Sequence, residues 1–178
     1  IDDAPTVIRY PKGSVGEDIP ALERREDGVD VLVRTGAAHP QTGQRDVLFV
    51  AVGAMVRVAL EVSQILETHR VHSTVVDPRW VMPVPASVVE LTRDHRIVVT
   101  IEDGVRSGGV GARIRQEMRA AGVDTALSEL GLPAEFIPHA SREEILEETG
   151  LSAETIAADV LAQLAGDKVP FAREEGQK

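Results

Sequence analysis

A few short segments of this sequence carry the residue types from which chemistry could be built. The most suggestive is Glu102-Asp103-Gly104, followed by glycines at Gly108, Gly109 and Gly111. The free amides and dipole of a helix opening there could hold an anion. Yet the spacing is not Gly-x-Gly-x-x-Gly, a phosphate-loop Lys-Ser/Thr is missing, and two carboxylates stand beside the turn. The glycines therefore read as a tight strand-to-helix turn that lets the helix pack close to the sheet. Glu102 and Asp103 could act as general acid and base at a strand end. Adjacent residues on an extended chain point opposite ways, however, so a solvated or salt-bridged role is expected for both. A second turn, Gly53-Ala54, and the loop Asp77-Pro78-Arg79-Trp80-Val81-Met82-Pro83 also follow candidate strands. Trp80, the only tryptophan, could face a substrate; a stiff loop presenting one large aromatic reads instead as a docking surface for another domain or subunit. Near the start, Lys12 precedes Gly13 at a candidate strand exit, a shape suited to a phosphate, with Arg9 and Tyr10 just before it. On spacing alone that signal is weak, because a loop lysine is ordinarily just solvated.

Other chemistries find no residues. His39, His69, His72, His95 and His139 show no metal-ligand spacing, and His69 reads as a helix C-terminal residue complementing the dipole. Zero cysteines remove disulfides, thiolate nucleophiles and Cys-ligated zinc. No serine sits in a nucleophile-elbow context. From Asp46 onward no complete catalytic constellation can be assembled.

The elements that must position these segments alternate between strand and helix patterns. Thr6–Tyr10 and Val29–Val33 read as short strands, with Pro20–Asp27 a charged connector and Gly36–Gln44 a loop. Val47–Val52 is a continuous apolar run, the mark of a strand buried on both faces. Met55, Val58, Ala59, Val62 and Leu66 recur on one side of a helix reaching about His69. Strands follow at Ser73–Val76, Ile97–Ile101 and Thr125–Leu130, with helices at Ala86–Asp94 and from Val110, whose face is Val110, Ile114, Met118 and Ala121. Gly122 falls where a glycine ends a helix. Ser141-Arg142-Glu143-Glu144 has capping-box spacing, and Ser152 opens a last helix with Ile156, Val160, Leu161 and Leu164 on its apolar face. The alternation predicts an α/β three-layer sandwich with a mostly parallel sheet, whose ligand crevice lies beyond the strands' carboxyl ends. The expected organisation is residues 1–22 as the end of a preceding domain and a linker, 23–165 as the α/β domain, and 166–178 as a flexible tail.

Composition narrows the partners. The 178 residues carry 19 Lys+Arg against 29 Asp+Glu, a net charge of −10. That balance argues against a nucleic-acid backbone or an anionic membrane as main partner. Hydrophobic residues make up 43% and aromatics 3%, so a globular core must be built from Val, Ile, Leu and Ala. No apolar run approaches the roughly 20 residues of a membrane helix, and no signal peptide opens the chain, so a cytoplasmic location is expected. The chain begins at Ile1, which points to a piece of something longer.

Taken together, Pro5-Thr6-Val7-Ile8-Arg9-Tyr10-Pro11-Lys12-Gly13, Val76–Pro83, Thr100–Gly104 with Gly108–Gly111, and Leu130-Gly131-Leu132-Pro133 with Phe136–His139 resemble the C-terminal part of the 1-deoxy-D-xylulose-5-phosphate synthases. These belong to the transketolase-like, thiamine-diphosphate-dependent enzymes. The resemblance implies a homodimer that decarboxylates pyruvate on thiamine diphosphate with Mg²⁺ and joins the two-carbon unit to D-glyceraldehyde 3-phosphate, opening non-mevalonate isoprenoid synthesis. It further implies that cofactor and metal are held by domains absent here, leaving no catalytic, cofactor-binding or metal residue in this segment. What remains is scaffold, dimer surface and one substrate contact: Lys12 on the aldehyde's phosphate, with Arg9 in support or in a structural salt bridge. Many relatives have Arg at position 12, and Lys gives up the bidentate fork. Other readings are the C-terminal part of another transketolase-like or 2-oxoacid dehydrogenase β-type protein, including one piece of a split enzyme, or a non-catalytic nucleotide-binding or assembly module using the glycine-rich loop.

Overall fold

Continuous burial along the central strands, on both faces of the sheet, dictates the layers. In the computed structural model, which describes residues 5, 7, 8 and 16–166, one six-stranded sheet is covered by helices on both faces. The elements are β1 (Glu23–Arg24), β2 (Asp30–Arg34), β3 (Arg45–Ala51), α1 (Val56–Thr68), β4 (Ser73–Asp77), α2 (Ala86–Arg93), β5 (His95–Val105), α3 (Val110–Ala120), β6 (Ala126–Leu132), α4 (Arg142–Glu148) and α5 (Ala153–Ala165). A 3-10 turn over Gly53–Met55 joins β3 to α1. Strand order is β1-β2-β4-β3-β5-β6, with β4, β3, β5 and β6 parallel and β1 and β2 antiparallel.

Val47, Phe49 and Ala51 of β3 pack with Val75, Val99 and Ile101 beneath α1 and α5. The alternate residues Leu48 and Val50 pack with Val76 and Val98 beneath α2 and α3. A period of two on each strand thus feeds two separate apolar cores. Each fully buried Leu, Ile, Phe or Met side chain in them contributes about 1.5–3 kcal/mol. The α1 face is buried at Met55, Ala59, Val62 and Leu66, with Val58 half-buried. On α3, Ile114 and Met118 are buried and Val110 half-buried, while Ala121 lies just past the helix and is exposed. Gly122 follows with φ +67°, the left-handed conformation that ends the helix at low steric cost.

Several expectations need correction. The charged connector over Pro20–Asp27 contains a strand: Glu23 and Arg24 pair with Val31 and Asp30, because the turn over Arg25–Gly28 folds the chain back on itself. With β2 also antiparallel, that end of the sheet departs from the parallel pattern of the rest. β5 is also longer than Ile97–Ile101, running through Glu102 and Asp103 to Val105 with a register irregularity against β6. Of the strand expected over Thr6–Tyr10 only Val7 and Ile8 are described, and both are exposed and outside any strand, while the site residues Arg9 and Lys12 and the tail beyond Gly166 lie outside the described residues.

Candidate functional site

The sheet's winding fixes where a crevice opens. From β3 the chain moves through α1 to β4 on one side, then through α2 back past β3 to β5 on the other. Neighbouring parallel strands whose connections leave in opposite directions open a gap at their carboxyl ends. A cleft of about 630 Å³ lies there, lined among others by Val52, Gly53, Glu102, Asp103, Arg142 and Leu146. Two of the three strand-end segments singled out from sequence, Gly53-Ala54 and Glu102-Asp103-Gly104, therefore meet in one place.

The two carboxylates in the cleft part company. Glu102 continues the β5 face that meets α3, and its carboxylate accepts hydrogen bonds from the backbone amides of Val110 and Gly111, each at 3.1 Å. The anion at the start of α3 is thus a side chain of the preceding strand. The glycines permit this approach: a Cβ on Gly109 would stand 2.3 Å from Glu102 Oε1, and one on Gly111 would stand 2.4 Å from Thr100 Oγ1. Asp103 points the other way and pairs with Arg142 Nη2 at 2.8 Å. Arg142 begins α4, whose start is fixed by a complete capping box: Glu144 N–H donates to Ser141 Oγ, and the Glu144 carboxylate accepts from Ser141 N–H. Arg142 Nη2 also lies 3.6 Å from Met55 Sδ, which ties α4 to the turn before α1.

The third segment stays outside the cleft. In the Asp77–Pro83 loop, Arg79 has φ +54° and its amide donates to Asp77 Oδ1 at 2.8 Å. Burial, with Asp30 adding repulsion, pushes the Asp77 carboxyl up from its ordinary value. Trp80 is 67% exposed, and Met82 beside it is also exposed.

The histidines do not converge. His95 is buried, with Nδ1 2.7 Å from Leu91 O and Nε2 2.9 Å from Thr74 Oγ1. His69 caps the end of α1, His72 donates its backbone amide to Asp46, and His39 and His139 are exposed. Among the described residues no three or more His, Cys, Asp or Glu are grouped to hold a metal. A diphosphate–metal cofactor does not fit the cleft either, because Glu102 already accepts from the α3 amides and brings negative charge to the place a diphosphate would need. No helix of the described residues is long and apolar enough to cross a membrane.

Arg142 escaped the sequence reading as a cleft residue. Its tetrapeptide signalled only a capping box, and no spacing rule pairs position 142 with 103.

Comparisons with known proteins fit this geometry. Residues 36–156 match the family model "Transketolase, C-terminal domain". The chain is 64% identical over 174 residues to the 1-deoxy-D-xylulose-5-phosphate synthase of Kocuria rhizophila, and 59% identical over 173 residues to that of Renibacterium salmoninarum. In both cases 97% of this chain is covered but only 26% of the relative, so the chain spans about a quarter of the length of these enzymes. Among solved structures, a split-gene transketolase described as an inactive beta4 tetramer superimposes with a TM-score of 0.65 at 26% identity, covering 84% of this chain and 46% of the other. A transketolase mutant from Pichia stipitis, 15% identical with a TM-score of 0.52 over 80% of this chain and 18% of its own, shares the fold alone. A parallel sheet wound about β3 and β5 and a family match over more than half its length place this chain in the transketolase C-terminal domain family.

Proposed function

We propose that this chain is the C-terminal region of a 1-deoxy-D-xylulose-5-phosphate synthase, a transferase that condenses pyruvate with D-glyceraldehyde 3-phosphate with loss of CO2. The observation that carries the reading is the 64% identity sustained over 97% of the chain. In the complete enzyme thiamine diphosphate and Mg²⁺ supply the carbanion chemistry and are held by polypeptide outside this chain. Residues 1–22 are then the end of the preceding domain and its linker, 23–165 the α/β domain, and 166–178 a tail.

The residues of this segment act as scaffold and contact. Lys12 meets the phosphate of the aldehyde substrate as a point charge, with Arg9 supporting it. The exposed Trp80 and Met82 belong to a surface covered by the rest of the homodimeric, cytoplasmic enzyme. The ion pair Asp103–Arg142 and the capped α3 start hold the carboxyl edge of the sheet rigid without offering a nucleophile or a base. The reading in which the glycine-rich loop binds a nucleotide is disfavoured, because Glu102 occupies the amides that a phosphate would need.

The test combines two assays. The purified segment, given pyruvate, glyceraldehyde 3-phosphate, thiamine diphosphate and Mg²⁺, is expected to show no turnover; product formation by the segment alone would overturn the assignment of the chemistry to other domains. In the complete enzyme, Lys12→Ala is expected to raise KM for the phosphorylated aldehyde and to spare KM for pyruvate. An unchanged aldehyde KM removes Lys12 from the site.

A further inference from the structure

The cleft at the carboxyl edge of the sheet has two apolar walls. Val52 and Leu132, at the ends of β3 and β6, form one; Ile137, Ile145 and Leu146, from the loop after β6 and from α4, form the other. All five are only half-buried, and no residue of α4 is fully buried. Leu132 and Leu146 lean on the core beneath α1 and α5 yet still turn apolar surface toward a space of about 630 Å³. That volume falls within the range of about 300–1,000 Å³ typical of small-molecule sites, which are mainly apolar with a few fixed polar groups.

The polar groups of the cleft are unequally spent. Glu102 accepts from two α3 amides, and Asp103 accepts from Arg142 Nη2. Arg142, whose side chain is 37% exposed, gives the protein only Nη2; its Nε and Nη1 make no hydrogen bond among the described residues. A guanidinium carries five N–H donors, so most of its capacity is left over. The capping box holds its backbone and Asp103 holds its tip, so these donors are fixed beside the apolar walls. What the cleft lacks is an acceptor. We propose that it binds a small aliphatic carboxylate, with the anionic head on the open edge of Arg142 and the hydrocarbon body against Leu132, Ile145 and Leu146. A phosphate is the wrong head, because its second negative charge would face Glu102 and Asp103 on the same edge. The site is independent of the phosphate contact assigned to Lys12.

The complete enzyme is titrated calorimetrically with octanoate, octanol and octyl phosphate, as the parent and as Ala54→Trp, Arg142→Gln and Asp103→Asn. Ala54 is exposed at the cleft, so a large side chain there fills the space without entering the core. Binding in the cleft is therefore the part that Ala54→Trp removes. In the parent that part is expected to favour octanoate over the other two, with a Kd on the order of 1 mM or tighter. Arg142→Gln should weaken octanoate about tenfold, the size of one charged hydrogen bond. Asp103→Asn should tighten it severalfold, because the carboxylate that competes for the guanidinium is neutralised while Arg142 remains. The opposite signs separate an anion contact from a latch: if the ion pair only holds α4 in place, both substitutions loosen the same wall and both weaken binding. A fall in affinity for both would thus overturn the proposal. So would an absence of octanoate binding, octanoate binding that survives Ala54→Trp, or cleft binding of octanol or octyl phosphate as tight as that of octanoate.

Discussion

Glu102 and Gly109 are mutually dependent: the carboxylate of one occupies the space in which a Cβ of the other would lie, 2.3 Å from Oε1. A charge on the carboxyl-end extension of β5 thereby reaches the first amides of α3, which has no side-chain cap of its own. The arrangement does the work of an N-cap from the preceding strand.

Glu102→Ala should accordingly destabilise the domain by about 1–3 kcal/mol, since two amides lose a charged acceptor in a buried setting. Glu102→Gln should cost less, keeping one acceptor but losing the charge. Urea unfolding followed by circular dichroism reads both. A midpoint for Glu102→Ala equal to that of the parent would show that the cap contributes nothing.

Gly111→Ala tests packing instead of electrostatics. Its Cβ would meet Thr100 Oγ1 at 2.4 Å and Glu129 Cγ at 3.0 Å, and Thr100 is buried on the central sheet, so little can move. A loss of about 1–3 kcal/mol is expected. Thr100 Oγ1 has no hydrogen-bond partner among the described residues, so Thr100→Ala should be tolerated and should relieve much of the Gly111→Ala penalty. A double-mutant cycle measures that coupling, and strict additivity of the two changes would contradict it.

Much of this was legible in the sequence because it is local or periodic. The apolar runs of β3 and β5, the α1 stripe and the Ser141–Glu144 box each announce an element from its own residues. The parting of Glu102 and Asp103 also follows from the period of two in a strand. What could not be read joins positions far apart in sequence. β1 hides among charged residues because a two-residue strand has no periodicity, and its pairing depends on the turn at Gly28. Arg142 with Asp103, Arg57 with Glu17, and Asp27 with Ser87 are meetings that only the wound sheet produces.

The last of these pairs carries its own prediction. Asp27 accepts from Ser87 N–H at 2.9 Å and from Ser87 Oγ at 2.7 Å, capping α2 from the turn between β1 and β2. Desolvation alone would raise its carboxyl, but the backbone and hydroxyl bonds of Ser87, together with those from the Val29 and Asp27 amides, outweigh it and hold Asp27 below the ordinary carboxylate value. Asp27→Ala should cost about 0.5–1 kcal/mol at neutral pH, the size of a solvated helix cap. A depressed folded value means this stability is present above the unfolded value of about 3.9 and lost as pH falls through the folded one. The gap between parent and variant in urea midpoint should therefore shrink below about pH 4, and a gap independent of pH would argue against the ionised cap.

His95 gives a pH dependence at milder acidity. Its ring is buried between α2 and the sheet, donating from Nδ1 to Leu91 O and accepting at Nε2 from the Thr74 hydroxyl, an assignment that uses the neutral ring in full. Burial pushes its pKa down; the Leu91 carbonyl and Asp94 pull it up, and Arg45 and Arg34 push it down again, leaving a net fall. The unfolded chain then binds more protons than the folded one below about pH 6.5, so stability is intact above that value and declines as pH drops toward the folded pKa. The steepest decline is about 1.4 kcal/mol per pH unit for one group. His95→Gln removes the titration and should flatten the stability profile between pH 7.5 and 5.5, even though it lowers stability at pH 7.5 by disturbing the Leu91 and Thr74 contacts. Matched urea unfolding curves across that range decide the matter: a variant that loses stability with the same slope as the parent would assign the acid sensitivity to a different group.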